Sequence, residues 1–392
     1  MKILVICQYY SPEPFKVADV CEALSQKGHE VDVVTSFPNY PMGEIYEGYK
    51  NAAHKEELIN GVNVHRVFTI GRKSGFLFRL LNYYAFSVSS SLFVNKLKKD
   101  YDVVFVYQLS PVLMANAGVR YKKKHNKKML LYCLDLWPDS LTLGGLKKGG
   151  LIYSYFKKKS EKIYNAAERI LVSSKMFEQY FDEMFKICGQ KIDYLPQYAE
   201  DVFVPDSHTQ GNVINITFAG NIGTTQSIET ILYAAKKLEN ENILFNFYGD
   251  GSGLATLKAL AENQLSLKNV IFHGRISLDE VARKYAESDG LIVTLSDNPV
   301  LSKSFPGKIQ TYMAAGKPVI GAVNGEAAEI IKEAECGFCT KAEDVDGLVD
   351  CIKQFLESDK IQLGKNARRY YEENFQKENF ISRLSKELEN LR

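Results

Sequence analysis

The chain has one tryptophan and seven cysteines in 392 residues, and no acidic residue occurs between Glu57 and Asp100. The cysteines form one CxxC, Cys336 and Cys339, with no second pair to complete a zinc site. Buried thiols in a reducing compartment are the expectation. No Asp-x-Asp pair closes a strand-like run, so no metal ion is implied. Low-complexity tracts and short solenoid repeats are missing too. The opening MKILVICQYY is too short for a secretory signal and runs straight into polar chain, which points to the cytoplasm.

What is present is material for two α/β domains. With 392 residues and 45% apolar composition the chain can fill two cores. KILVIC has the continuous apolar character of a parallel strand buried on both faces; a helical VADVCEALSQKG and the alternating HEVDVVTS follow. VNVHRVF, YDVVFVYQ, KMLLYCLD and RILVSS continue the series. The pattern restarts with NITFAG, ILFNFYGDG, NVIFHG and GLIVTL, separated by helical stretches. Such alternation predicts parallel sheets covered on both faces. The expected division is 1–196 and 197–374, joined near 194–212, with a final helical segment, 375–392, able to cross back to the first domain.

Open parallel sheets bind ligands outside the carboxyl ends of their strands. The loops to read are therefore QYYSPEPFK, DLWPDS, GNIGTTQS, GDGSG, HGRIS and SFPGK. Gly220 and Gly223 lie in a strand-to-helix turn whose backbone donors suit a phosphate, and Gly249 and Gly251 give YGDGSG the same shape. Each turn alone is more readily read as an ordinary structural one. The segment SKSFPGKIQTYMAAGKPVI (302–320) carries three lysines and no carboxylate. Within it KIQTYMAA has helical spacing, with Gly316 as its expected C-cap.

Five segments resemble the retaining GT-B glycosyltransferases of family 4, and among them the bacterial O-antigen and capsule sugar transferases of the N-acetyl-fucosaminyl transferase type. They are TSFPNYP (35–41), VFVYQLSPVLMA (104–115), LYCLDLWPDS (131–140), AGNIGTTQS (219–227) and PGKIQTYMAAGKPVIGAVNGEAAEII (306–331). The resemblance implies two Rossmann-like doubly wound domains facing a central cleft, with the UDP-sugar donor on the second and the acceptor on the first. It implies no cofactor beyond the donor. The implied reaction moves a sugar, with UDP-N-acetylfucosamine or a related amino sugar as leading donor, onto a lipid-diphosphate-linked glycan at the inner membrane face. A UDP-sugar 2-epimerase of the same fold and a non-catalytic nucleotide-sugar-binding partner are the alternatives.

The chain also departs from the family. Where the family carries an arginine and a lysine for the donor diphosphate stand Asn221 and Gln226, and its two glutamates are replaced by Lys303 and Thr311. The double glycine of the first loop is missing from SPEPFK. Lys308, with the backbone N–H groups of Phe305 to Ile309, is expected to take over the diphosphate, and Pro306 and Gly307 to shape the turn. Otherwise Lys308 is a solvated lysine at a helix N-terminus, a placement the helix dipole disfavours. Asn221 and Gln226 would keep hydrogen bonds without charge, Thr311 would meet a ribose hydroxyl, and Arg275 would lie near the uracil. Asp135, close to Trp137, would accept a proton or orient the acceptor hydroxyl, unless Asp135 and Asp139 only cap the next helix.

Charge divides unevenly: 28 basic against 19 acidic residues in 1–196, and 21 against 28 in the remainder. The first half thus expects an anionic partner. GFLFRLLNYYAFSVSSSLFVNKLKK, flanked by Arg72 and Lys73 and containing Arg79, is too interrupted to span a bilayer. It suits a helix lying in an anionic membrane surface, with RYKKKHNKK (120–128) and KKKSEK (157–162) adding attraction. The competing reading is an ordinary core helix. No nucleic-acid-binding module accompanies the charge, so nucleic acid is not expected.

Overall fold

The computed structural model describes residues 1–73, 75–206 and 211–392; residues 207–210 of the expected linker lie outside the described residues. The chain forms two compact units, Met1–Leu195 with Ile381–Arg392, and Pro196–Phe380.

The first unit contains strands β1 (Lys2–Ile6), β2 (Glu30–Ser36), β3 (Glu56–Ile59), β4 (Val62–Val67), β5 (Val103–Gln108), β6 (Lys128–Cys133), β7 (Arg169–Val172) and β8 (Ile192–Tyr194). They form one sheet in the order β3-β4-β2-β1-β5-β6-β7-β8. Ile3 to Ile6 and Val103 to Val106 are fully buried, as the continuous apolar runs require of central strands covered on both faces. Pairing is parallel except for β3 with β4, which meet as an antiparallel hairpin. Its turn is Asn60-Gly61, both with positive φ (47° and 84°), the chemistry a two-residue hairpin demands.

The second unit contains β9 (Ile214–Ala219), β10 (Ile243–Tyr248), β11 (Val270–Gly274), β12 (Gly290–Thr294), β13 (Val319–Ala322) and β14 (Gly337–Thr340). Their order is β11-β10-β9-β12-β13-β14, and every pairing is parallel. The helix expected from KIQTYMAA runs Gly307–Ala314, and Gly316 follows it at φ 66°.

The C-terminal segment is two helices, Lys360–Asn374 and Lys377–Asn390. The break falls at Phe375, which is buried against Phe305, Tyr370 and Tyr371. The second unit therefore extends to Phe380, past the expected boundary at 374. Arg169 holds Glu387 at 2.7 Å and Arg383 donates to the Tyr194 carbonyl at 2.8 Å, which fastens the last helix to the first unit.

Candidate functional site

In the second unit the glycine turns and Lys308 meet at the carboxyl ends of β9 and β10. Gly220 N–H donates to Tyr248 O, Ile222 N–H to Asp250 O and Gly253 N–H to Ile222 O, each at 2.9 Å, so the two loops lie on one another. That approach explains two glycines. A Cβ at Gly249, whose φ is 136°, would collide with the Gly220 carbonyl, and one at Gly251 with the Ile222 carbonyl. Gly220, at φ 140°, leaves room for Lys308: a Cβ there would stand 2.7 Å from the lysine Cε.

Lys308 is half-buried in the first turn of the helix Gly307–Ala314. Its Nζ donates to Gln226 Oε1 at 2.6 Å and lies 5.0 Å from the Phe218 ring centroid. Among the described residues no carboxylate partners it, and burial holds the amine down at about 8. A desolvated ammonium satisfied by one amide oxygen keeps two donors for an anion.

The remaining expected donor-side residues divide. Asn221 fills the space between Gly223 and Gly251, so its amide shapes the loops. Phe305 packs against Phe375, 5.4 Å between ring centroids. Pro306 is the helix N-cap. Ile309 is fully buried and its N–H donates to Pro306 O at 3.0 Å. That corrects the expectation that its N–H serves a ligand, because the first helical turn already uses the group. Thr311 donates its hydroxyl to Gly307 O at 3.0 Å, which leaves its oxygen as an acceptor. Arg275 is exposed after β11.

In the first unit a second cluster forms at the carboxyl ends of the strands. Asp135 is half-buried; burial raises its pKa, opposed by hydrogen bonds from Ser110 and by the charge of Arg72. Trp137 is buried, donates Nε1–H to Ser110 Oγ at 2.9 Å, and meets Tyr83 edge-on at 6.3 Å. Asp139 does not cap a helix. Its carboxylate accepts from Tyr153 and from Lys148 (3.1 Å), so it is a structural anchor inside the short turn Asp139–Gly144.

Arg72 turns into this cluster. Its guanidinium lies 5.9 Å from the Tyr83 ring centroid and 3.5 Å from the Tyr83 hydroxyl, and its backbone N–H donates to Asn39 Oδ1 at 3.2 Å. Lys73 and Arg79 are exposed, and Lys73 pairs with Glu44 at 3.6 Å. The grouping of Arg72 with Lys73 and Arg79 on one outer surface is thus corrected. Buried amides draw its loop inward, because Asn82 donates to Ile70 O at 2.6 Å and to Asn39 Oδ1, and accepts from Gln8 at 2.7 Å.

One residue had no sequence signal. Glu13, in SPEPFK, is buried and accepts backbone N–H groups of Asn39 (2.9 Å), Tyr40 (2.7 Å) and Tyr10 (3.3 Å), tying two strand-end loops together. Burial pushes its carboxyl up to about 7 against those hydrogen bonds. An acid in a proline-containing loop looks like any solvated turn residue.

The helix Phe76–Lys96 is buried on one side only. Asn82, Phe86, Ser90 and Val94 are buried along one face, while Leu77, Phe78, Leu81, Val88 and Leu92 are exposed along the other. Exposed Leu151, Ile152 and Tyr155 stand on the neighbouring helix Leu151–Ala166, where the Tyr84 hydroxyl donates to that of Tyr155 at 3.0 Å. No helix among the described residues is long and apolar enough to cross a membrane. In 120–128, Lys122 bonds Glu168, Lys124 bonds Asn95 O, and Lys127 pairs with Asp100 at 2.9 Å. Those three lysines are engaged within their own unit.

Comparison with known proteins follows the same division. Residues 203–377 match the family model for glycosyl transferases group 1, and residues 17–197 that for glycosyltransferase family 4. The chain is 26% identical over 409 residues to the "Putative colanic acid biosynthesis glycosyl transferase WcaI" of Escherichia coli K12, covering 97% of this chain and 98% of that protein. It is 28% identical over 263 residues to the "Probable glycosyltransferase WbjE" of Pseudomonas aeruginosa, covering 63% and 64%. Among solved structures, Anabaena Alr3699/HepE in complex with UDP superposes with a TM-score of 0.73 at 14% identity over the full length of both chains. The protein is a glycosyltransferase. It has the GT-B fold, with a first half similar to glycosyltransferase family 4 and a second half similar to glycosyl transferases group 1.

Proposed function

We propose that the protein transfers a sugar from a UDP-sugar, with retention of anomeric configuration, onto a lipid-diphosphate-linked glycan during synthesis of a cell-surface polysaccharide such as O-antigen or capsule. The observation that carries this reading is Lys308, a desolvated cation with no carboxylate partner among the described residues, seated over Gly220 at the end of β9. A UDP-sugar brings a diphosphate that gains charge as the bond to the sugar breaks. The Lys308 ammonium, keeping Gln226 on one donor, stabilises that charge with the other two, so the reading requires no metal ion. Gly220, Gly249 and Gly251 let the backbone approach the phosphates, and Thr311 accepts from a ribose hydroxyl. Asp135, with its raised pKa, holds the acceptor hydroxyl in the first unit.

The names of the relatives WcaI and WbjE support polysaccharide synthesis, and the UDP complex of the Anabaena protein supports a uridine donor. A UDP-amino sugar of the N-acetylfucosamine type is the leading donor. The exposed apolar rows on two adjacent helices, with Arg79, Lys158 and Lys159 nearby, support docking at the anionic inner face of the cell membrane.

The test incubates the protein with a panel of UDP-sugars, with and without lipid-linked acceptor, and reads products by mass spectrometry. Acceptor heavier by one sugar is the expected result. Donor converted to an isomer would overturn the reading in favour of a 2-epimerase, and donor bound but unchanged would leave a nucleotide-sugar-binding partner.

A further inference from the structure

Among the described residues, each sheet presents at the carboxyl ends of its strands a partly desolvated cation outside any ion pair. In the second unit it is Lys308. In the first unit it is Arg72, and among the described residues no carboxylate pairs with it, whereas neighbouring Lys73 pairs with Glu44 and Arg66 with Glu57. An unpaired cation held off solvent is costly unless something anionic visits it. The setting of Arg72 is built rather than incidental. Its backbone is pinned by Asn39, and neither Gly43 nor Gly71 has room for a Cβ, since the two loops touch there. Tyr9 and Tyr83 flank the guanidinium, and the buried Tyr9 hydroxyl, which faces Arg72, has no other hydrogen-bond partner among the described residues. Shortly after Arg72 in the chain, at Leu77, the exposed apolar row of the helix Phe76–Lys96 begins.

We propose that Arg72 and the Tyr9 hydroxyl form an anion subsite for the diphosphate of a lipid-linked acceptor, with the lipid chain leaving along the Leu77, Leu81 and Val88 row. The inference rests on the reading of the protein as a transferase to a lipid-linked glycan, and adds where the acceptor phosphate is held. The planar guanidinium offers paired donors to phosphate oxygens, Tyr9 adds one O–H, and Asp135 stays close enough to Arg72 to feel its charge. The acceptor hydroxyl then lies beside Asp135 while its phosphate lies on Arg72.

The only tryptophan reports on the subsite directly, because Trp137 touches Tyr83, which touches Arg72. With UDP saturating the second unit, geranyl diphosphate, geraniol and inorganic pyrophosphate are titrated while Trp137 emission is followed. Geranyl diphosphate is expected to bind, and Arg72→Met to weaken it at least tenfold. Arg72→Lys, which keeps charge and backbone contacts but not the fork, is expected to fall between, and Lys73→Met to bind as wild type. Geraniol should be indifferent to Arg72. Geranyl diphosphate binding equally to wild type, Arg72→Met and Arg72→Lys would overturn the subsite. Pyrophosphate binding as tightly as geranyl diphosphate would overturn the lipid assignment and leave a plain phosphate site. UDP affinity, titrated separately on each protein before the other ligands are added, reports on the donor reading.

Discussion

Removing the charge of Lys308 should stabilise the empty protein. Its amine is lowered from an ordinary 10.5 to about 8 by burial alone. That difference corresponds to roughly 3 kcal/mol of unfavourable free energy for the ammonium at neutral pH, and solvent contact reduces it to about 1–3 kcal/mol. Lys308→Met keeps the methylene packing over Gly220 and leaves Gln226 Oε1 without its donor, at a cost of about 1 kcal/mol. The expected net gain is up to about 2 kcal/mol, a rise of up to roughly 8 °C in melting temperature. The pH dependence fixes the cause. A folded-state pKa below the unfolded one penalises the charged form, so the penalty is complete below pH 8, shrinks as pH rises, and is gone above about 10.5. The gain of the variant over wild type should follow that course in calorimetric scans from pH 7 to 10.5. UDP is expected to raise the melting temperature of wild type by mass action and that of the variant little. A Lys308→Met protein that melts below wild type at pH 7 and keeps the UDP shift would refute the reasoning, because Lys308 would then be an ordinary helix lysine.

Gln226→Lys places a second ammonium against Lys308, whose present contact with Gln226 is 2.6 Å. The empty protein should lose stability and UDP should bind about tenfold tighter by calorimetry, since two cations then face the diphosphate; unchanged UDP affinity would contradict the location of the site. Glu13, raised from 4.5 to about 7 by burial, binds a proton in the folded state that the unfolded chain has released. Its contribution therefore weakens stability by about 3 kcal/mol as pH rises from 4.5 to 7, and urea titrations should show that slope flattened in Glu13→Gln. Leu77→Glu with Leu81→Glu should release the protein from vesicles containing phosphatidylglycerol at low salt and leave UDP binding intact. Wild type that does not sediment with such vesicles would remove the docking surface.

The central strands were legible because residues such as Ile3 to Ile6 must be covered on both faces, and a continuous apolar run has few other uses. β3, β8 and β14 were not: β3 reads EELI with exposed and half-exposed residues, and the other two are three and four residues long. The Asn60-Gly61 turn was nevertheless a readable hairpin signal. The glycine loops and Lys308 could be singled out from local chemistry, but the contact between Lys308 and Gln226 joins residues 82 apart in sequence and exists only once β9 and the helix Gly307–Ala314 are placed. Arg72 looked like part of a basic surface because its neighbours in sequence are. What turns it inward is the network of Asn39, Asn82 and Gln8, polar residues that sequence alone assigns to the outside. Ile309 went the other way: a helix start offers free N–H groups in general, and this one is already used.

The most direct test of the donor site is proton uptake on UDP binding, measured at pH 8 by titration calorimetry in buffers of different ionisation enthalpy. Lys308, near its midpoint at that pH, should become fully protonated when it meets the diphosphate, while the phosphate itself has already lost its protons. The expected result is an uptake of about half a proton per UDP in wild type, and none in Lys308→Met. UDP binding to wild type without proton uptake, and with equal affinity to both proteins, would contradict the assignment of Lys308 to the donor diphosphate.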